Sequence, residues 1–254
     1  MRTDVIKTDT EGLEAGDVKI KVSDGEMPGY FARPKGVINP PVVLVAMEIF
    51  GLHEYIKDVT RRLGKLGAFA VAPDYYFRKG DLTKITEMPA LFPIVNAKTD
   101  TELFADLDAT VAWAKSQGGN TGRLGIIGFC RGGRTVWEYA AHNSGLKAAV
   151  AFYGTLVDPE TQKSIWPKNP IERAPEMKAP VLGLYGEADQ GIPVSQIEQM
   201  KNALTSAGKT FEFKIYPGAP HGFHADYRAS YRKEAAEDAW NQMVSWLKKY
   251  QVLA

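Results

Sequence analysis

The sequence predicts an α/β fold: a mostly parallel central sheet with helices on both faces. Three features point there. From residue 42 to the end, short apolar runs alternate with stretches of helical periodicity. The runs, such as Val42-Val-Leu-Val-Ala-Met47, are continuous rather than alternating, as in strands buried on both faces. A Gly128-Phe-Cys-Arg-Gly-Gly133 turn joins one such run to a helix-like stretch. In sheets of this kind ligands bind at the C-terminal ends of the strands.

Taken in order, Val18-Lys-Ile-Lys-Val22 alternates as a half-exposed strand does, and Ser23-Asp24-Gly25 turns the chain into extended Tyr30–Arg33. Pro40-Pro41 introduces the first buried strand. Ile56, Val59, Leu63 and Leu66 share one helical face that stops at Gly67. Phe69–Ala72 is a short buried strand ended by Pro73. Residues from 75 to about 98 lack a clear period, which predicts an irregular, lid-like segment. Leu103, Leu107, Val111 and Ala114 mark a helix ending at Gly118-Gly119. The strand Leu124–Ile127 leads into the glycine-rich turn and a helix over Thr135–His142. Lys147–Tyr153 is a strand, and 155–179, rich in proline, is a second irregular segment. Val181–Tyr185, a helix over Val194–Ala207, and Phe211–Tyr216 follow. The last helix places Ala236, Ala239, Trp240, Met243, Trp246 and Leu247 on one face. With no repeat or linker, residues 1–254 are expected to form a single domain.

Composition narrows the class. Hydrophobic content of 44% and charged content of 24% are ordinary for a globular protein. A net charge of +1 supplies no field for nucleic acid or an anionic membrane. One cysteine excludes a disulfide framework and a multi-cysteine metal site. The histidines and the cysteine lack metal-ligand spacing, so neither a metal nor another cofactor is expected. Met1–Gly16 is polar and no run is long enough to span a bilayer, so a cytoplasmic protein with a small-molecule substrate and no obligate protein partner is expected.

The strand, sharp turn and helix around Cys130 form the context of a nucleophile elbow. Thiol attack on a carbonyl needs a base to take the thiol proton and a carboxylate to orient that base. In the elbow fold these follow the nucleophile in the order acid, then histidine. Asp189 and His221, both just past predicted strands, supply that order after Cys130. Glu187 and Asp158 are alternative acids. His142 is expected to face away, whereas His53 and His224 lie in loops near the site. A binding module without turnover has no need of all three residue types in order. A thiol redox sensor lacks a second cysteine to resolve it.

The elbow, Tyr185-Gly-Glu-Ala-Asp189, Pro220-His-Gly-Phe223 and Glu48-Ile-Phe-Gly51 together resemble the dienelactone hydrolase family of α/β-hydrolases, over about residues 18 to 250. The resemblance implies hydrolysis of a lactone or carboxylic ester through a thioester on Cys130, with His221 as base and Asp189 as orienting acid. It implies an oxyanion hole from the amides of Ile49 and Arg131. It also implies that Glu48 contacts the cysteine in the resting enzyme and shifts when substrate binds. Family enzymes acting on dienelactone carry an arginine four residues past the histidine, where Ala225 stands here. The anion-binding candidates are then Arg78, His224, Arg228 and the Arg131 side chain.

Overall fold

In the computed structural model, which describes residues 5–254, the strands are β1 (Leu13–Val22), β2 (Gly25–Pro34), β3 (Pro41–Ala46), β4 (Phe69–Pro73), β5 (Asn120–Phe129), β6 (Leu146–Phe152), β7 (Val181–Gly186) and β8 (Phe211–Tyr216). The α-helices are α1 (Glu54–Lys65), α2 (Met88–Asn96), α3 (Asp100–Ser116), α4 (Arg131–His142), α5 (Val194–Ser206) and α6 (Lys233–Lys249). All eight strands form one sheet in the order β1-β2-β4-β3-β5-β6-β7-β8. β1 and β2 are an antiparallel hairpin, β2 pairs antiparallel with β4, and every later pairing is parallel.

Patterning explains these places. In β1, Ile20 and Val22 are buried while Lys19 and Lys21 are exposed, as an edge strand covered on one face requires. Every residue of β3 is buried, which fits its position inside the sheet with helices on both sides. The helices divide between the faces. Gly125 of β5 faces Leu247 and Val252 at the end of α6, whereas Gly128, three residues on and so on the opposite face, meets Gly132 of α4. Tyr139 Oη of α4 donates to Asp108 of α3 at 2.8 Å, and Arg62 of α1 stacks on Trp240 of α6 at 5.8 Å.

Residues 75–98 are more regular than their sequence predicts. Two 3-10 turns, Phe77–Lys79 and Leu82–Lys84, lead into α2. Pro89 fits the first turn of α2, where its missing N–H costs nothing, and Pro93 removes one bond inside. Short length and two prolines hide the period. Leu91 and Val95 of α2 are buried, and Met88 and Phe92, also four residues apart, are partly exposed. Residues 155–179 contain two 3-10 stretches, Glu160–Gln162 and Pro170–Glu176. Trp166 between them is buried and donates from Nε1 to the carbonyl of Lys98 at 2.8 Å, which fastens this segment to the end of the other. No described helix is long and apolar enough to cross a membrane.

The backbone of α4 lies directly on the strand ends. A Cβ on Gly132 would fall 2.0 Å from the Ala46 carbonyl oxygen, and one on Gly133 would fall 2.6 Å from that of Phe152. Neither neighbour is a flexible side chain that can step aside. Gly132→Ala should therefore cost about 3 kcal/mol, a fall in Tm of roughly 6–12 °C for a chain of this size. Gly16→Ala, where nothing lies within 4 Å, is the control. Calorimetry showing equal Tm values for the two variants would contradict this packing.

Candidate active site

Cys130 sits between β5 and α4 with φ 56° and ψ −115°. The left-handed φ is unfavourable for any residue with a Cβ and costs about 1–3 kcal/mol. The surroundings impose it: the Cys130 amide donates to the Phe152 carbonyl at 3.0 Å, while α4 is pressed onto β3 and β6 through Gly132 and Gly133. The thiol is left half-buried at the C-terminal end of the sheet.

β7 ends at Gly186, and the loop after it carries Asp189. One oxygen of Asp189 accepts from the amides of Gly191 (2.9 Å) and Ile192 (3.1 Å). The other accepts from Nδ1 of His221, on the loop after β8, at 2.7 Å. With both oxygens engaged and its side chain buried, Asp189 has a fixed orientation and fixes the ring in turn. Glu187 instead accepts from the Gly218 amide (3.0 Å), and Asp158 is bound by Arg134 (2.8 Å), so neither of these carboxylates is the partner of His221. Burial works against charge on His221. The hydrogen bonds to Asp189 and Cys130 outweigh it and raise the ring's pKa to about 10.

Glu48, two residues past β3, is wholly buried. Its Oε2 accepts from Tyr227 Oη at 2.7 Å and lies 3.2 Å from His53 Nε2. Among the described residues its Oε1 has no hydrogen-bond partner, the Cys130 thiol included. The next residue, Ile49, lines a cavity of about 520 Å³ together with Cys130, Arg131, Asp189, His221 and Arg228. Arg131 is the first residue of α4, so its N–H has no acceptor within the helix. Its side chain stacks on Trp166 (4.1 Å) and donates to Asn96 Oδ1 (2.9 Å). Arg228 packs over Phe50 (5.6 Å) and has no carboxylate partner among the described residues.

Two expected anion-binding residues stand elsewhere. Arg78 is paired with both oxygens of Asp24, in the β1–β2 turn, and with Asp106 of α3. It does not line this cavity. His224 is buried beneath the site with Nδ1 2.7 Å from Tyr55 Oη. Burial first, and the Arg62 charge second, press its pKa down to about 3, so the ring is neutral and suited to no anion. His142 faces away and meets Asp108 (2.8 Å). Sequence reasoning missed Met88 and Phe92, which line the cavity and whose four-residue spacing was a usable signal. It also missed Tyr227, whose reach to Glu48 depends on a loop path that no local pattern encodes.

The raised His221 pKa has a definite sign. The protonated ring is favoured in the folded chain, so its stabilisation is fully present below the unfolded value near 6.5 and is lost as pH rises through about 10. Asp189→Asn removes the carboxylate that Nδ1 faces. It should move the His221 NMR titration down toward 6.5, and stability should fall more near neutrality than above pH 10. An unmoved titration would contradict the coupling.

Comparison with known proteins agrees with the architecture. The model of the dienelactone hydrolase family matches residues 27–251. A relative from Methylorubrum extorquens, named "Putative carboxymethylenebutenolidase", is 53% identical over 249 residues, 97% of this chain and 85% of the relative. A relative of the same name from Escherichia coli is 46% identical over 248 residues, 97% of this chain and 91% of its own length. A crystal structure from Klebsiella pneumoniae, named as a "Putative Dienelactone Hydrolase", superposes with a TM-score of 0.91 at 47% identity, covering 94% of this chain and 99% of that one. The chain belongs to the dienelactone hydrolase family and is an α/β-hydrolase acting on lactone or carboxylic ester bonds.

Proposed function

We propose that Cys130 is the nucleophile of this hydrolase, His221 its general base and acid, and Asp189 the group that orients and charges His221. One observation carries the reading: a cysteine held at a left-handed φ lines the same cavity as a histidine locked at 2.7 Å to a buried aspartate. The Cys130 proton is held on Nε2 of His221 as the sulfur bonds to the substrate carbonyl carbon. The carbonyl π electrons move onto oxygen, which the amides of Ile49 and Arg131 receive. Such backbone donors are commonly worth about 3 kcal/mol each. The C–O bond to the leaving oxygen then breaks, and that oxygen takes the proton from His221, leaving a thioester. Water gives a proton to His221 and adds to the thioester carbon. The C–S bond breaks, the acid departs, and the sulfur recovers its proton from His221.

The substrate we propose is a lactone or ester carrying a carboxylate. Arg228 supports this, as a cation in the cavity wall without a carboxylate partner among the described residues, with Arg131 also lining the cavity. Met88 and Phe92 give the same cavity an apolar wall. Dienelactone fits this chemistry, with Arg228 in place of the arginine that Ala225 lacks.

Steady-state hydrolysis of the dienelactone isomers and a neutral p-nitrophenyl ester tests both parts. Cys130→Ala should lower turnover of every substrate by at least about a thousandfold while the circular dichroism is unchanged. Arg228→Leu should raise KM for the anionic lactone by roughly 10–100-fold, the worth of one charge-assisted hydrogen bond, and leave the neutral ester unaffected. Turnover surviving in Cys130→Ala would overturn the nucleophile. Equal KM changes for both substrates would overturn the anion site.

A further inference from the structure

We propose that Trp166 and Asn96 are positioning residues that hold the Arg131 guanidinium at the cavity wall as a second cation, beside Arg228, for the substrate carboxylate. The proposal rests on the reading of the substrate as an anionic lactone or ester. It starts from the charges around α4. Arg134 donates from Nε to both oxygens of Asp158, at 2.8 and 2.9 Å, and from Nη1 to one oxygen of Asp100 at 3.2 Å. Arg173 donates to the other oxygen of Asp100 at 3.0 Å and pairs with Glu138. The carboxylates of this layer are thereby committed to Arg134 and Arg173. Asp158, which Arg134 holds, stays 3.9 Å from Arg131.

Arg131 is held instead by two neutral groups. Its guanidinium stacks on Trp166 at 4.1 Å, and the one hydrogen bond it makes among the described residues goes to Asn96 Oδ1 at 2.9 Å. An aromatic face and an amide oxygen orient a guanidinium without cancelling its charge, whereas a carboxylate does both. Burial works against the charge on Arg131, which makes an arriving carboxylate a better partner there than in water. The two holders are also tied to each other. Asn96 is the last residue of α2, and two residues on, the Lys98 carbonyl accepts from Nε1 of buried Trp166 at 2.8 Å. The same indole lies 4.4 Å from the guanidinium of Arg134, which the carboxylates fix in place. A fixed ring and a helix end thus set the place of Arg131 next to the nucleophile, in the cavity that Arg228 also lines.

The test is the KM of a dienelactone isomer relative to that of a neutral p-nitrophenyl ester. The lactone is also run as a competitor of the ester, so its binding is read with or without turnover. Asn96→Asp keeps an acceptor for Arg131 but cancels its charge, and should raise the relative KM about tenfold, the worth of one charge-assisted contact. Trp166→Leu should act in the same direction by releasing the guanidinium, and Trp166→Phe, which retains an aromatic face, should recover most of that loss. Neither Asn96→Asp nor Trp166→Leu should add anything to Arg131→Met, because the cation they act through is gone. If Trp166→Leu fails to fold, Asn96→Asp, at a half-buried helix end, carries the test. A wild-type relative KM in Asn96→Asp would overturn the proposal. Equal rises for lactone and ester would also overturn it, since a merely structural role gives that result. Failure of the anionic-substrate reading looks different: Arg131→Met and Arg228→Leu would then both keep the wild-type relative KM.

Discussion

The approach of the α4 backbone to the ends of β3 and β6 sets the geometry of everything at this end of the sheet. Carbonyl oxygens of Ala46 and Phe152 occupy the space that side chains at Gly132 and Gly133 would need. A helix pressed that close to two strands can be entered from β5 only through a sharp turn, and Cys130 at φ 56° is that turn. The strain of about 1–3 kcal/mol is offset by burial across α4. Wholly buried Trp137 donates to Tyr185 Oη (2.9 Å), which donates to the Gly154 carbonyl (2.9 Å). Two hydrogen bonds through the Tyr185 hydroxyl thus link α4, β7 and the loop after β6.

Charge in the site is managed chiefly by engaged carboxylates. Asp189 spends one oxygen on two amides and the other on His221, which converts a buried negative charge from a cost into a constraint on the ring. Farther along α4, Arg134 is held by Asp158 and Asp100 beneath Trp166, and Arg131 stacks on the same indole. That layer fixes the cavity wall next to the nucleophile. Glu48 and Asp226 each keep one buried oxygen without a hydrogen-bond partner among the described residues.

Most of the fold was legible because β3, β4 and β7 are short, continuous apolar runs, while β1 and β8 alternate as strands with one exposed face do. Strand ends also made the site legible: Cys130, Asp189 and His221 each follow one closely, at the same end of the parallel sheet. What stayed hidden depends on loop paths and on partners remote in sequence. Nothing near Arg78 announces that Asp24 and Asp106 bind it away from the cavity. Nothing near His224 announces that it turns under the site to Tyr55. Helix α2 was hidden differently, since Pro89 and Pro93 masked a period that Leu91 and Val95 carry.

The central claim is that acyl transfer passes through the sulfur of Cys130. Rapid-quench mass spectrometry of the wild-type chain during turnover of an activated ester tests it directly. A single acyl group should appear on the intact protein, map to the peptide containing Cys130, and be absent from Cys130→Ala. An acyl group mapped to another residue would contradict the claim, as would fast turnover with no adduct in either protein.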